Sequence, residues 1–256
     1  MHAPGSEFPD MAADVLARLR ERNPRVHSVT NSVAQNFTAN VLLAASVTPS
    51  MTVAAEEVAG FVASSDALLI NLGMFDAERR EAIEIAVEEA TEEGVPWVLD
   101  PAFVDRARPR AAFARTIIRR YPRVIRLNPL EFAAMAGTEA QPDALMRYAK
   151  ESRAVIALTG EIDFVTDGTR QASVANGHPL MPKVTAIGCA GSALLAGCVA
   201  VESDPWRAAV AGLIILGVAG EIAAAAANGP GSFVPAFIDA LYTLDRDTLI
   251  AKARAS

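Results

Sequence analysis

The sequence predicts an α/β fold: a mostly parallel central sheet with helices on both faces, a small antiparallel hairpin and a helical last third. Three observations lead to it. Short β-branched or apolar runs alternate with helical patterns from Arg25 to Leu158. Two further runs, Phe164–Thr166 and Gln171–Val174, are joined by Asp167-Gly168-Thr169, the pattern of a hairpin. Beyond Val174 the strand signals stop, and the apolar runs Gly188–Val201 and Ala208–Gly220 follow. With 256 residues, 52% of them hydrophobic, the chain can bury a large core, and no linker, repeat or low-complexity segment divides it. One domain over residues 1–256 is expected.

Taken in order, Arg25–Val29 reads as the first strand and precedes a helix around Val33–Ala45. Ala67–Ile70 precedes a helix over Ala77–Glu93, where Ala82, Ile85, Ala86 and Ala90 recur at helical spacing among glutamates. Pro96–Leu99 precedes a helix near Arg110–Arg120, and Arg123–Leu127 precedes one over Pro129–Ala136. A helix beginning at Pro142 leads to the strand Ala154–Leu158. Trp97 and Trp206 read as packing residues, and the run Glu88–Glu93 as a solvated helix face. Gly229-Pro230-Gly231 breaks the final helical third.

Composition excludes several classes of function. A net charge of −7 argues against a nucleic-acid or anionic-membrane surface. The only lysines, Lys150, Lys183 and Lys252, stand in no G-x-x-x-x-G-K-[ST] loop, and no G-x-G-x-x-G follows the first strand, so P-loop and dinucleotide-binding sites are not expected. Cys189 and Cys198, nine residues apart on one predicted helix, are turned about 900° from one another and face opposite ways, too far apart to bridge. The N-terminus carries Glu7, Asp10 and Asp14 and no apolar core, so no secretory leader is expected. Both long apolar runs fall short of the ~18–20 residues needed to span a bilayer. A cytoplasmic protein with no membrane partner is the expectation.

In such a fold, ligands bind beyond the carboxyl ends of the strands. Thr30-Asn31, Asn71 with Gly73, Asp100, Asn128 and Thr159-Gly160-Glu161 stand at the ends of five predicted strands. Each serves as a turn or helix cap, or as a ligand group on one common rim. Asn128-Pro129-Leu130-Glu131 has both readings: a capping box, or a pair that holds a hydrated Mg²⁺ through water. Arg126, two residues earlier, offers a planar fork to a phosphate. Val184–Leu195, a run of small residues, opens an apolar helix at Gly188-Cys189. An anion fits the unpaired N–H groups of such a helix start, where a thiol pKa is usually lowered. The alternative for Cys189 is a small buried packing residue. His27 and His178 read as core or turn residues, with no metal-ligand spacing between them.

The ordered set of motifs resembles the hydroxyethylthiazole kinase family of the ribokinase-like superfamily. Thr30-Asn31-x-Val33-x-x-Asn36-x-x-Ala39-Asn40 matches its opening, and Pro49-Ser50-Met51 with Glu56-Glu57-Val58 its next segment. Val98-Leu99-Asp100-Pro101, Arg126-x-Asn128-x-x-Glu131, Thr159-Gly160-Glu161-x-Asp163, Asn176-Gly177-His178, Gly188-Cys189 and Gly229-Pro230-Gly231-Ser232-Phe233 follow in family order. The resemblance implies a ribokinase-like α/β/α fold. It also implies ATP-dependent phosphorylation of the primary alcohol of 4-methyl-5-(2-hydroxyethyl)thiazole for thiamine synthesis or salvage. Cys189 would be the base or hydroxyl-orienting group, beside an anion loop of Ala186–Gly188. Arg126 and Thr159 would contact ATP, Asp100, Asn128 and Glu131 would organise Mg²⁺, and Asn31 and Met51 would contact the thiazole. A homotrimer with substrate sites between subunits is the implied assembly.

The chain departs from the family pattern around this site. Thr185-Ala186-Ile187-Gly188-Cys189 stands where members typically read T-G-T-G-C, and Ala102–Arg106 where they read V-G-x-G-A. Leu127 replaces a glycine and Met74 a threonine. Two alternatives follow: a kinase of the same fold acting on a different small alcohol, and a non-catalytic homologue that binds ATP or thiazole.

Overall fold

The alternating runs form one eight-stranded sheet in a computed structural model that describes residues 7–256. The expectation about a leader rests partly on residues 1–6, outside the described residues. The strands are β1 (Arg25–Val29), β2 (Thr48–Ser50), β3 (Ala67–Asn71), β4 (Trp97–Asp100), β5 (Val124–Leu127), β6 (Val155–Leu158), β7 (Asp163–Thr166) and β8 (Gln171–Val174), in spatial order β2-β1-β3-β4-β5-β6-β7-β8. The first six run parallel, and β7 and β8 are antiparallel, as the hairpin turn requires.

Successive residues of a strand point to opposite sides of the sheet, and the two faces collect different helices. Val26, Leu69, Val98 and Val124 lie under α1 (Phe8–Arg22), α2 (Gln35–Ala44), α8 (Ile187–Val201), α9 (Pro205–Ala226), α10 (Pro230–Thr243) and α11 (Arg246–Lys252). Leu68, Ile70, Leu99 and Ile125 lie under α3 (Ala55–Ala63), α4 (Ala77–Glu92), α5 (Arg108–Ile118), α6 (Pro129–Ala136) and α7 (Pro142–Ser152). The three-layer arrangement expected from the sequence is therefore present.

Several boundaries differ from the sequence reading for local reasons. Helix α1, strand β2 and helix α3 are elements beyond those the sequence predicts. The stripe Met11, Val15, Leu16 and Leu19 buries α1, and β2 is a three-residue edge strand containing Pro49. Helix α5 starts at Arg108, ahead of the expected Arg110, with Pro109 in its first turn, where a missing N–H costs nothing. The buried stripe of α4 is Ala82, Ile83, Ala86, Val87 and Ala90, and Ile85 is only half-buried. The second apolar run belongs to a longer helix than its sequence suggests. With 22 residues, α9 is long enough to cross a bilayer, but 78% of its apolar window is buried inside the protein, between the sheet and α1, α8 and α10.

Candidate active site

Parallel pairing places the carboxyl ends of β1, β3 and β4 side by side. Asn71 and Asp100, the last residues of β3 and β4, are register partners, and Asn31 follows β1. Helix α8 starts directly over them. The amide of Asn31 donates to the Cys189 sulfur at 3.4 Å and to Asn71 Oδ1 at 3.3 Å. The amide of Asn71 donates to the same sulfur at 3.4 Å and to Asp100 Oδ2 at 2.8 Å. Ser192, one turn along α8 from Cys189, donates its hydroxyl to Asp100 Oδ2 at 2.7 Å. Asn31 Oδ1 meanwhile accepts from the backbone N–H of Ala34, so this residue is both turn former and site residue.

Charge at this cluster is governed by burial. Asp100 is held above the usual carboxylate range by desolvation, against the pull of Arg126, Ser192 and Asn71. Burial, with the Asp100 charge adding to it, pushes the Cys189 thiol up to about 11. This overturns the expectation of a lowered thiol pKa at the helix start. The two amide donors and Arg126 act in the expected direction but are outweighed by desolvation.

Arg126 connects this cluster to the helix terminus. Its Nη1 lies 3.9 Å from Asp100 Oδ2, and a Cβ added to Gly188 would sit 2.9 Å from the same nitrogen. A guanidinium thus rests on the first turn of α8, where the N–H groups of Ile187, Gly188 and Cys189 have no helical partner. Two positive features converge there, and an anion fits between them. The cap residue of α8, Ala186, has φ 68° and ψ 0°, a left-handed conformation that a Cβ disfavours.

Across the strand ends, the sequence 128–131 folds as a full capping box. Asn128 Oδ1 accepts from the N–H groups of Leu130 and Glu131, both at 2.9 Å, and Glu131 Oε2 accepts from the Asn128 N–H at 2.9 Å. Glu131 Oε1 accepts from the Phe103 N–H at 3.0 Å. Burial and the nearby Asp100 charge raise the Glu131 pKa. The side-chain oxygen of Asn128 is thereby committed to the cap. Both donors to Asp100 use Oδ2, which leaves Oδ1 for a ligand. Phe103 is also left-handed, with φ 62°, and its exposed ring lies beside the guanidinium groups of Arg106 and Arg110.

A cavity of about 780 Å³ opens next to Arg126, lined by Thr159, Asp163, Asn176, His178 and Gly188 among others. Asp163, whose Oδ1 accepts from Gly160 N–H at 2.9 Å, is pushed up to about 6 by burial. His178 accepts the Leu180 N–H at its Nδ1, a turn role, while also facing the cavity. Met51 follows the edge strand β2 and packs, half-buried, on the larger core, making no hydrogen bond to the Cys189 cluster. His27 is a core histidine: its ring nitrogens meet Ser50 Oγ at 2.8 Å and the Thr52 carbonyl at 3.1 Å.

The structure therefore brings Asn31, Asp100, Arg126, Gly188 and Cys189 together, and sets Thr159 on the adjoining cavity. Asn71, read from the sequence as a strand-end residue, and Asp163, read as part of a motif, belong to the same region, as does Ser192, to which the sequence reading gives no role. The place of Asn71 at a strand end is its signal in the sequence, whereas the bond from Ser192 to Asp100 has none.

Comparison with known proteins agrees with this architecture. The family model of the hydroxyethylthiazole kinase family matches residues 16–247. A hydroxyethylthiazole kinase of Granulibacter bethesdensis is 42% identical over 253 residues, covering 94% of this chain and 92% of that protein. The solved structure of a hydroxyethylthiazole kinase protein from Pyrococcus horikoshii superposes with a TM-score of 0.93 at 36% identity, covering 96% of this chain and 98% of the other. A ribokinase-like superfamily protein of Enterococcus faecalis, 13% identical with a TM-score of 0.69 over 91% of this chain and 95% of its own, shares the fold.

Proposed function

The chain belongs to the hydroxyethylthiazole kinase family and has the ribokinase-like fold, and from that premise we propose that it transfers the γ-phosphoryl group of ATP to the primary hydroxyl of 4-methyl-5-(2-hydroxyethyl)thiazole, in thiamine biosynthesis or salvage. The observation that carries this reading is the meeting of Arg126 with the first turn of α8 at Gly188, one residue from Cys189.

Nucleotide would occupy the large cavity, held by Arg126 and Thr159, with its terminal phosphate at the backbone of Ala186–Gly188. The thiazole alcohol would approach from the side of Asn31 and Met51. Cys189, neutral near pH 7 because its pKa is about 11, orients the hydroxyl and is not a standing thiolate. In the transfer, a bond forms from the alcohol oxygen to phosphorus as the bond from phosphorus to the ADP oxygen breaks. The alcohol loses its proton late, to an oxygen of the transferred phosphoryl group and from there to water, because a loose transition state asks little of a base. Positioning and the two converging positive features do most of the work.

The donor set fits Mg²⁺, which is usually held by one or two carboxylates, phosphate oxygens and retained waters. Asp100 has a free Oδ1, and Glu131, bound by two backbone N–H groups, is suited to contact through water. Mg²⁺ would neutralise charge on the phosphates, and Asn128 would act by fixing Glu131. A homotrimer is part of this reading, supported by the exposed apolar side chains Val33, Leu43 and Phe61 on elements around the β1–β2 edge. A cytoplasmic location is part of it too, and the net charge of −7 is in keeping with no nucleic-acid or anionic-membrane partner.

The test is ATP consumption by the purified protein with Mg²⁺ and the thiazole alcohol, beside Cys189→Ala. Turnover that depends on Cys189 supports the reading. ATP binding without turnover refutes it and leaves two alternatives, a different small alcohol or a non-catalytic binding role. The left-handed, Cβ-bearing Ala186 and Phe103 beside the site favour one second reading, a different small alcohol, which a panel of primary alcohols separates.

A further inference from the structure

The far wall of the cavity is the segment Ala175–His178, which follows β8. It is held by residues distant in sequence. Arg254–Ser256 lies alongside as an added antiparallel strand. Ser173 and Ser256 exchange backbone bonds at 2.8 and 3.0 Å, Ala175 N–H donates to the Arg254 carbonyl at 2.8 Å, and Val174 pairs with Ala255. Asn176, 6% exposed, is saturated: its amide donates to Glu221 Oε1 at 3.0 Å and to the Lys252 carbonyl at 2.8 Å, and its Oδ1 accepts from Arg254 N–H at 2.6 Å. Glu221 Oε1 also accepts from Gly177 N–H at 2.9 Å. Arg254 closes the loop, donating to both Glu221 oxygens at 2.8 and 3.1 Å and to the Ala175 carbonyl at 2.7 Å. On the other side α9 leaves no slack, since a Cβ on Gly217 would lie 2.6 Å from Asn176.

This arrangement is unusual in what it does not do. The Arg254 side chain is 54% exposed, and an exposed ion pair adds little to global stability. Every one of its side-chain bonds nevertheless ends on the wall or on the carboxylate that holds it. We propose that Arg254, acting through Glu221, is a positioning residue for the nucleotide pocket. The strand Arg254–Ser256 latches the wall Ala175–His178 in its binding geometry and so sets the apparent affinity for ATP. The proposal rests on the reading of this cavity as the nucleotide site.

The experiment compares the full chain with its Arg254→Met, Arg254→Lys and Glu221→Gln variants, in steady-state kinetics and in calorimetric binding of Mg-ATP. Loss of charge-assisted bonds on the wall should raise the ATP KM and the Mg-ATP Kd of Arg254→Met roughly five- to tenfold. The kcat and the KM for the alcohol should stay within about twofold, because neither reports on this wall. Glu221→Gln should move the same way, and Arg254→Lys, which keeps one charged donor, should recover part of the loss. Unchanged ATP binding in Arg254→Met, or a fall only in apparent kcat and binding stoichiometry with the amount of folded protein at unchanged KM and Kd, overturns the latch. Failure of the unsubstituted protein to bind Mg-ATP is a separate result that overturns the nucleotide assignment itself.

Discussion

Replacing Ala186 by glycine tests whether the strained cap of α8 exists in solution. Its φ of 68° and ψ of 0° cost an alanine about 1–2 kcal/mol relative to a right-handed conformation. Glycine removes that penalty but brings about 0.5–1 kcal/mol of added unfolded-state entropy. The net expectation for Ala186→Gly is a stabilisation of about 0.5–1 kcal/mol, or about 2–4 °C in Tm for each kcal/mol. Ala112, exposed in the middle of α5, supplies the control: there glycine relieves nothing and should destabilise by about 1 kcal/mol. Urea unfolding read by circular dichroism, with thermal melts alongside, measures both variants. Equal destabilisation at the two positions would refute the left-handed assignment of Ala186 and the argument built on it. Removing the methyl also opens the anion loop, so turnover should not fall.

Two glycine-to-alanine changes separate binding from folding. Gly188→Ala sets a Cβ 2.9 Å from the flexible tip of Arg126 and should raise the ATP KM roughly tenfold with little change in Tm, whereas Gly217→Ala meets backbone at 2.6 Å and should destabilise by about 3 kcal/mol or more. Ser192→Ala takes a donor from a buried carboxylate, so it should cost about 1.5–3 kcal/mol in urea unfolding and shift the acid limb of the pH–rate profile upward. His27, fully buried, is pushed down to about 4 from the ordinary 6.5 by desolvation. Its stabilising contribution is therefore complete above about pH 6.5 and is lost as pH falls towards 4, by up to roughly 3 kcal/mol. Asp163, raised to about 6, has the opposite sign, relieving the fold as pH falls from about 6 towards 4. The difference in unfolding free energy between the parent and His27→Gln isolates the histidine. That difference should shrink between pH 7.5 and 4.5, and parallel curves would contradict the assignment.

Local chemistry made much of the fold legible. Pro129 and Pro142 mark true helix starts, the 167–169 turn makes a true hairpin, and Gly229-Pro230 separates α9 from α10. An element without punctuation is harder to read: β2 is only three residues long. At the site, strand-end positions identified Asn31, Asp100 and Arg126, because a parallel sheet brings its carboxyl ends together whatever the sequence between them. The partners that complete the cluster are set by packing across distance. The bond from Ser192 to Asp100 spans 92 positions, and no local spacing announces it. The direction of the Cys189 shift was misjudged for a related reason. A helix terminus is visible in a sequence, but how far the thiol is desolvated depends on the neighbours that close over it.

The division of labour between the two sheet faces has a consequence for how the chain acquires its shape. The helices on one face, α3 to α7, are contributed by the middle of the chain, interleaved with the strands they cover. The opposite face has only α1 and α2 until α8 to α11 follow, so a nascent chain that has passed Thr166 carries a sheet roofed on one side and, beyond those two helices, bare on the other. That bare face is a transient sticky surface of the kind chaperones recognise. It closes only when the Cys189 helix and those after it arrive, so the step that removes the aggregation hazard is also the step that completes the candidate site.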